Sequence, residues 1–140
     1  MFSQKSYDEL KELVMQALIE DQGQPVSVLA ENLGVTEGEA TLALPAELML
    51  STDGTKVEAL LKCLPSWGNV TTIVHSHDSI FEFKGQFPKG QVAHGYYNIM
   101  GKDGLHGHLR IDLIKHIAFV SKPFRGTQCH YIGFYTKQGN

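Results

Sequence analysis

Seven histidines stand in this 140-residue chain, and all lie after residue 74: His75, His77, His94, His106, His108, His116 and His130. Two pairs have the spacing His-X-His, at 75/77 and 106/108. In a strand, side chains two residues apart share a face. A strand over residues 105–112 therefore puts His106, His108, Arg110 and Asp112 in one row. Leu105, Gly107, Leu109 and Ile111 then turn toward a core. A strand over residues 70–75 sets His75 on the side of Thr71 and Ile73. Ser76, Asp78 and Ser79 mark a turn around His77.

Three chemistries fit such a pattern. Imidazoles beside a guanidinium suit an iron porphyrin with two carboxylates: iron takes a histidine nitrogen, and Arg110, or a nearby Lys, can pair with a carboxylate. Phe81, Phe83 and Tyr96 are available to cover the flat apolar faces. Alternatively, the two His-X-His pairs meet on adjacent strands as a non-haem site for zinc, copper or iron. Asp78, Glu82 and Asp112 are the nearby acids. The third reading is ordinary surface histidines on a solvated sheet, because a His-X-His pair is weakly specific. The residues by themselves leave these open. His116 and His130 read as surface residues, and Tyr96 and Met100 as packing. His77, His94 and His106 remain secondary ligand candidates.

The elements that position these residues follow from periodicity and caps. Ser6 with Glu9, and Thr36 with Glu39, have the capping-box spacing that opens a helix. Tyr7, Leu10, Leu13, Val14, Ala17 and Leu18 form an apolar helical stripe. A second helix over residues 26–33 ends at Gly34, and a third, opened by the Thr36 box, ends before Pro45. Residues 48–51 read as a short strand turned by Asp53-Gly54. Val57, Leu60, Leu61 and Leu64 mark a fourth helix stopped by Pro65, with Cys63 in its buried stripe. From Trp67 onward the segments are short, β-branched and aromatic: 70–75, 80–84, 96–100, 105–112, 117–120 and 128–136. Turn residues separate them, so they predict a mainly antiparallel sheet of five or six strands. The expected class is α+β, one domain over 1–140, with a helical part at 1–65 and a sheet part at 66–140.

Bulk properties exclude several classes. The longest apolar runs are too short for a membrane helix, and MFSQKSYDEL lacks the pattern of a signal peptide. Cys63 and Cys129 read as free thiols. There is no Cys-X-X-Cys-His for covalent haem, no P-loop and no dinucleotide fingerprint. Residues 1–60 hold three lysines against eleven acids, whereas 61–140 hold nine Lys or Arg against four acids. An anionic ligand that wants nitrogen donors finds its partners in the second part. Residues 27–44 have a helix-turn-helix outline, but the reader helix has no Lys, Arg, Asn or Gln and carries two Glu, so nucleic acid is not expected as a partner.

Several ordered strings resemble one family. They are Trp67-Gly68-Asn69-Val70-Thr71-Thr72-Ile73-Val74-His75, Phe87-Pro88-Lys89-Gly90, His94-Gly95-Tyr96-Tyr97-Asn98-Ile99-Met100-Gly101-Lys102, and Gly107-His108-Leu109. Together, over about residues 64–139, they are similar to the ChuX/HutX-type haem-utilisation cytosolic carriers. The resemblance implies a bacterial cytoplasmic protein of iron acquisition, built like one half of the larger haem-trafficking and haem-degrading proteins. It implies a homodimer that binds haem b non-covalently and passes it to a haem-degrading partner. The family histidines implicated in haem binding fall on His75 and His108; Arg110 is a carboxylate partner expected from the residue pattern alone. The resemblance favours a carrier over an enzyme, with haem degradation as the alternative activity. It also implies a further strand and helix beyond Asn140, without which a sheet edge is left open. Only neutral imidazole coordinates iron, so affinity is expected to fall in acid.

Overall fold

The computed structural model describes residues 6–140. In chain order it contains α1 (Tyr7–Glu20), α2 (Val26–Leu33), α3 (Glu37–Leu42), β1 (Met49–Asp53), α4 (Val57–Cys63), β2 (Asn69–Ser76), β3 (Ser79–Gln86), β4 (Gly90–Ala93), β5 (Tyr96–Met100), β6 (His106–Leu109), β7 (Ile114–Phe124) and β8 (Thr127–Thr136). Every strand pairing is antiparallel. The class is therefore α+β, helices first and strands after. The strands do not form the one sheet of five or six that the pattern predicts. They form three sheets, ordered β1-β7-β8, β2-β3 and β4-β5-β6. The β1–β7 pairing joins Met49 to Val120, a separation that no local pattern encodes.

Two compact units result: residues up to Gly54 together with Leu113–Asn140, and Thr55–Asp112. The four α-helices precede β2–β8 in the chain, and among the described strands β1 alone lies before residue 65. In the first unit, the Ser6 hydroxyl accepts from the Glu9 N–H at 3.2 Å and opens α1. Its buried Leu10, Val14 and Leu18 recur every four residues, the spacing of one helix face. Gly34 closes α2 in the left-handed region at φ 70°. At α3 both halves of the capping box form: Thr36 N–H to Glu39 Oε1 at 2.9 Å, and Glu39 N–H to Thr36 Oγ1 at 3.2 Å. Gly38, Glu39, Ala40 and Thr41 are all buried, so α3 is enclosed on more than one side. The Thr41 hydroxyl donates to the Glu37 carbonyl at 2.7 Å, so the Tyr135 hydroxyl, 3.2 Å away, is the donor of their shared bond. Burial pushes the Tyr135 pKa up to about 12.

These helices cover Ala118, Val120 and Tyr135 of the β1-β7-β8 sheet. Leu29, on α2, belongs to this cluster and is 1% exposed. Leu29→Ala should lower stability by about 2–5 kcal/mol through lost transfer energy and a residual cavity. A fall in the urea midpoint with unchanged slope would register it.

In the second unit the buried residues are Val57, Leu61, Leu64, Pro65, Phe87, Tyr97 and Ile99. Val57, Leu61 and Leu64 keep the expected helical stripe. Cys63 does not belong to it: the thiol residue is exposed, because its step of six from Val57 falls on the opposite face. Three hairpins close through two-residue turns with both residues at positive φ. These are His77-Asp78 (49° and 65°), His94-Gly95 (55° and 81°) and Arg125-Gly126 (50° and 85°). Such turns match the right-handed strand twist.

Candidate functional site

The β4-β5-β6 sheet assembles the principal histidine site. β5 and β6 pair Asn98 with His108 and Met100 with His106. Directly opposed residues share a face, so Met100, Asn98 and Tyr96 on β5 stand beside His106 and His108 on β6. The opposite face carries Tyr97 and Ile99, which are buried. This alternation explains why one face of the strand packs and the other stays open.

The open face is ordered by specific contacts. His108 Nδ1 lies 2.6 Å from Asn98 Oδ1. The His108 ring meets the Tyr96 ring edge-on at 5.8 Å and the His106 ring at 6.1 Å. The Arg110 guanidinium lies 6.0 Å from the centre of the Tyr96 ring. Arg110 stands beyond the end of β6, where the chain enters a 3-10 turn at Ile111–Leu113. The strand is thus shorter than the expected 105–112. The row nevertheless continues, because Arg110 holds Asp112 in a two-point ion pair, Nε to Oδ1 at 2.9 Å and Nη2 to Oδ2 at 2.8 Å. That hydrogen bond raises the Arg110 pKa above its already high value. The guanidinium has five N–H donors, so donors remain for a second carboxylate.

Tyr96 and Met100, read from sequence as packing, are 39% and 50% exposed and belong to this open row. The buried tyrosine is its neighbour Tyr97. Burial raises the Tyr97 pKa, and its hydroxyl has no hydrogen-bond partner among the described residues.

His75 sits elsewhere in the same unit, on the β2-β3 hairpin, opposite Ile80 and on the face of Ile73 and Glu82. It is exposed. The two His-X-His pairs consequently do not meet on adjacent strands. β2 pairs with β3, β6 pairs with β5, and His77 has left the strand for the turn. Among the described residues, no group of three or more His, Cys, Asp or Glu is placed to hold a metal ion. The non-haem reading required such a set. His94 serves the β4–β5 turn. His130 Nδ1 is hydrogen-bonded to its cross-strand partner, Ser121 Oγ. His116 lies on β7, opposite Asp53.

Sequence reasoning missed Asn98. Its distance from His108 along the chain hides their pairing, and only the β5–β6 register reveals it. Alternation does place Asn98 on the side of Tyr96 and Met100, which was the one usable signal.

An α+β chain with imidazoles displayed on open antiparallel sheets defines the class. The sequence profile of the haem-utilisation ChuX/HutX family matches residues 50–140, and the chain belongs to that family. It is 48% identical over 137 residues to the intracellular heme transport protein HutX of Vibrio cholerae serotype O1, covering 97% of this chain and 71% of that protein. The solved heme binding protein ChuX is 32% identical with a TM-score of 0.79, over 93% of this chain and 78% of that one. The fold also matches the Escherichia coli O157:H7 heme degrading enzyme ChuS at a TM-score of 0.73 and 14% identity. That match covers 99% of this chain and 40% of the enzyme, so the likeness is one of fold to part of a larger protein. No helix among the described residues is long and apolar enough to cross a membrane.

Proposed function

We propose that the chain is a cytoplasmic haem carrier of iron acquisition, working over 1–140 as one haem-carrier domain. It holds haem b non-covalently through His75 and His108 and passes it to a haem-degrading partner protein. The observation that carries this reading is the His108 imidazole, fixed on an exposed sheet face beside the Arg110 guanidinium. The donor set suits the ligand. Imidazole nitrogen is a haem-iron ligand, guanidinium pairs with a propionate carboxylate, and the exposed Tyr96 and Met100 offer apolar cover. Exposure also suits a carrier, which must release its cargo. The names of the Vibrio cholerae relative and of ChuX support haem as the ligand.

The carrier is proposed to act as a homodimer. The β2-β3 hairpin supports this, because Val74, Phe81 and Phe83 leave one of its faces apolar and open. Exposed apolar patches of this kind mark interaction surfaces.

Haemin titration tests the proposal. The expected result is a saturable shift of the Soret band with the porphyrin intact. A flat titration would overturn the carrier reading. Loss of the Soret band on adding a reductant in air would replace it with haem degradation.

A further inference from the structure

We infer that Asn98 fixes the neutral His108 ring as its Nδ1–H tautomer and so presents the Nε2 lone pair outward. Asn98 is thus the positioning residue of the site. The use of that lone pair on iron rests on the carrier reading; the tautomer itself does not.

The argument starts from the Asn98 amide. Its nitrogen lies 3.1 Å from the Ala93 carbonyl and 3.3 Å from each of the Gln91 and Tyr96 carbonyls. Carbonyl oxygens only accept, so the NH2 side of the amide must face them. The reversed amide would set an oxygen against three oxygens. The β4–β5 backbone therefore decides the orientation, and Oδ1 is left facing His108.

The second step concerns the ring. Amide oxygen accepts and cannot donate. A bond of 2.6 Å from Oδ1 to His108 Nδ1 therefore requires a proton on Nδ1. In a neutral imidazole the other nitrogen then carries the lone pair. Among the described residues, the His108 side chain makes no other hydrogen bond. Its ring neighbours are Tyr96 and His106, both edge-on contacts that leave Nε2 uncommitted. Metal-binding histidines commonly donate their second ring N–H to such an acceptor, which fixes tautomer and orientation together. Here the chain runs from backbone carbonyls to amide to imidazole, and each link has one permitted direction.

The test combines nitrogen-15 NMR of the histidine rings, without haem, with haemin titration of the wild type, Asn98→Leu and Asn98→Asp. The wild type should show His108 protonated on Nδ1 with a lone pair on Nε2. Both substitutions remove the amide donors that face β4 and the turn. Only Asp keeps an acceptor for Nδ1–H. Asn98→Asp, whose second oxygen then faces the Gln91, Ala93 and Tyr96 carbonyls, should retain the tautomer and the greater part of haemin binding, while Asn98→Leu loses the fixed tautomer and weakens haemin binding by about 10- to 100-fold. Equal weakening in both variants would assign Asn98 a merely structural part and overturn the inference. A wild-type ring protonated on Nε2 would overturn it directly. An Nδ1–H ring with a flat haemin titration would uphold the tautomer and sink the carrier reading, so the two failures are distinguishable.

Discussion

The His75→Ala/His108→Ala double variant is expected to show no Soret shift with haemin, and each single variant a weakened one. The two histidines belong to different sheets of one unit, β2-β3 and β4-β5-β6, so each substitution leaves the other strand's pairing intact. Both side chains are exposed, and truncating an exposed side chain rarely costs more than about 0.5 kcal/mol of stability. Loss of binding should therefore occur without loss of fold, which the thermal midpoint would confirm. His108 should carry the larger share, because its ring is already held by Asn98 and flanked by Tyr96 and Arg110. Second-sphere changes around a metal ligand cost about 10- to 100-fold, so removing the ligand itself should exceed about 100-fold. Binding that survives in the double variant would place the iron on another group and overturn histidine ligation.

What could be read in the sequence was local. Ser6, Thr36 and Gly34 mark helix ends because caps act within a single turn, and all three stand where the pattern puts them. The outward row of His106 and His108 follows from strand alternation and needs no partner. Whatever depends on pairing was hidden. None of the expected strand segments covers residues 90–93, yet Gly90 begins a strand that pairs with β5. The β1–β7 ladder brings a strand from the acidic, helical part of the chain against one from the basic part. The 3-10 turn after Leu109 shortens β6, though its residues alternate like a strand. Asn98 gained its role only through register, since a one-residue slip would turn it away from His108.

The Phe81→Asp variant is expected to sediment as a monomer where the wild type sediments as a dimer. In the β2-β3 register, Val74 opposes Phe81 and Thr72 opposes Phe83, so Val74, Phe81 and Phe83 share one face. They are 42%, 55% and 42% exposed. The other face adds Ile73 and Ile80, at 51% and 62%. A two-stranded hairpin is marginal alone in water, and among the described residues no third strand joins this one. A second copy of the chain offers an identical apolar face, which is what a twofold interface requires. Burying a Val or Phe side chain is worth about 1.5–3 kcal/mol. Aspartate at position 81 forfeits that on both copies and opposes two charges across the axis, so a loss of at least about 3 kcal/mol follows, roughly a hundredfold in the dimer constant. The same change bears on haem. His75 rides on this hairpin, so a monomer should lose the ordering that dimer contact gives His75 while keeping the Asn98-held His108. Haemin affinity of Phe81→Asp should then fall to that of His75→Ala and stop there. A variant that stays dimeric would remove the hairpin face from the interface, and a wild type that sediments as a monomer would overturn the dimer itself.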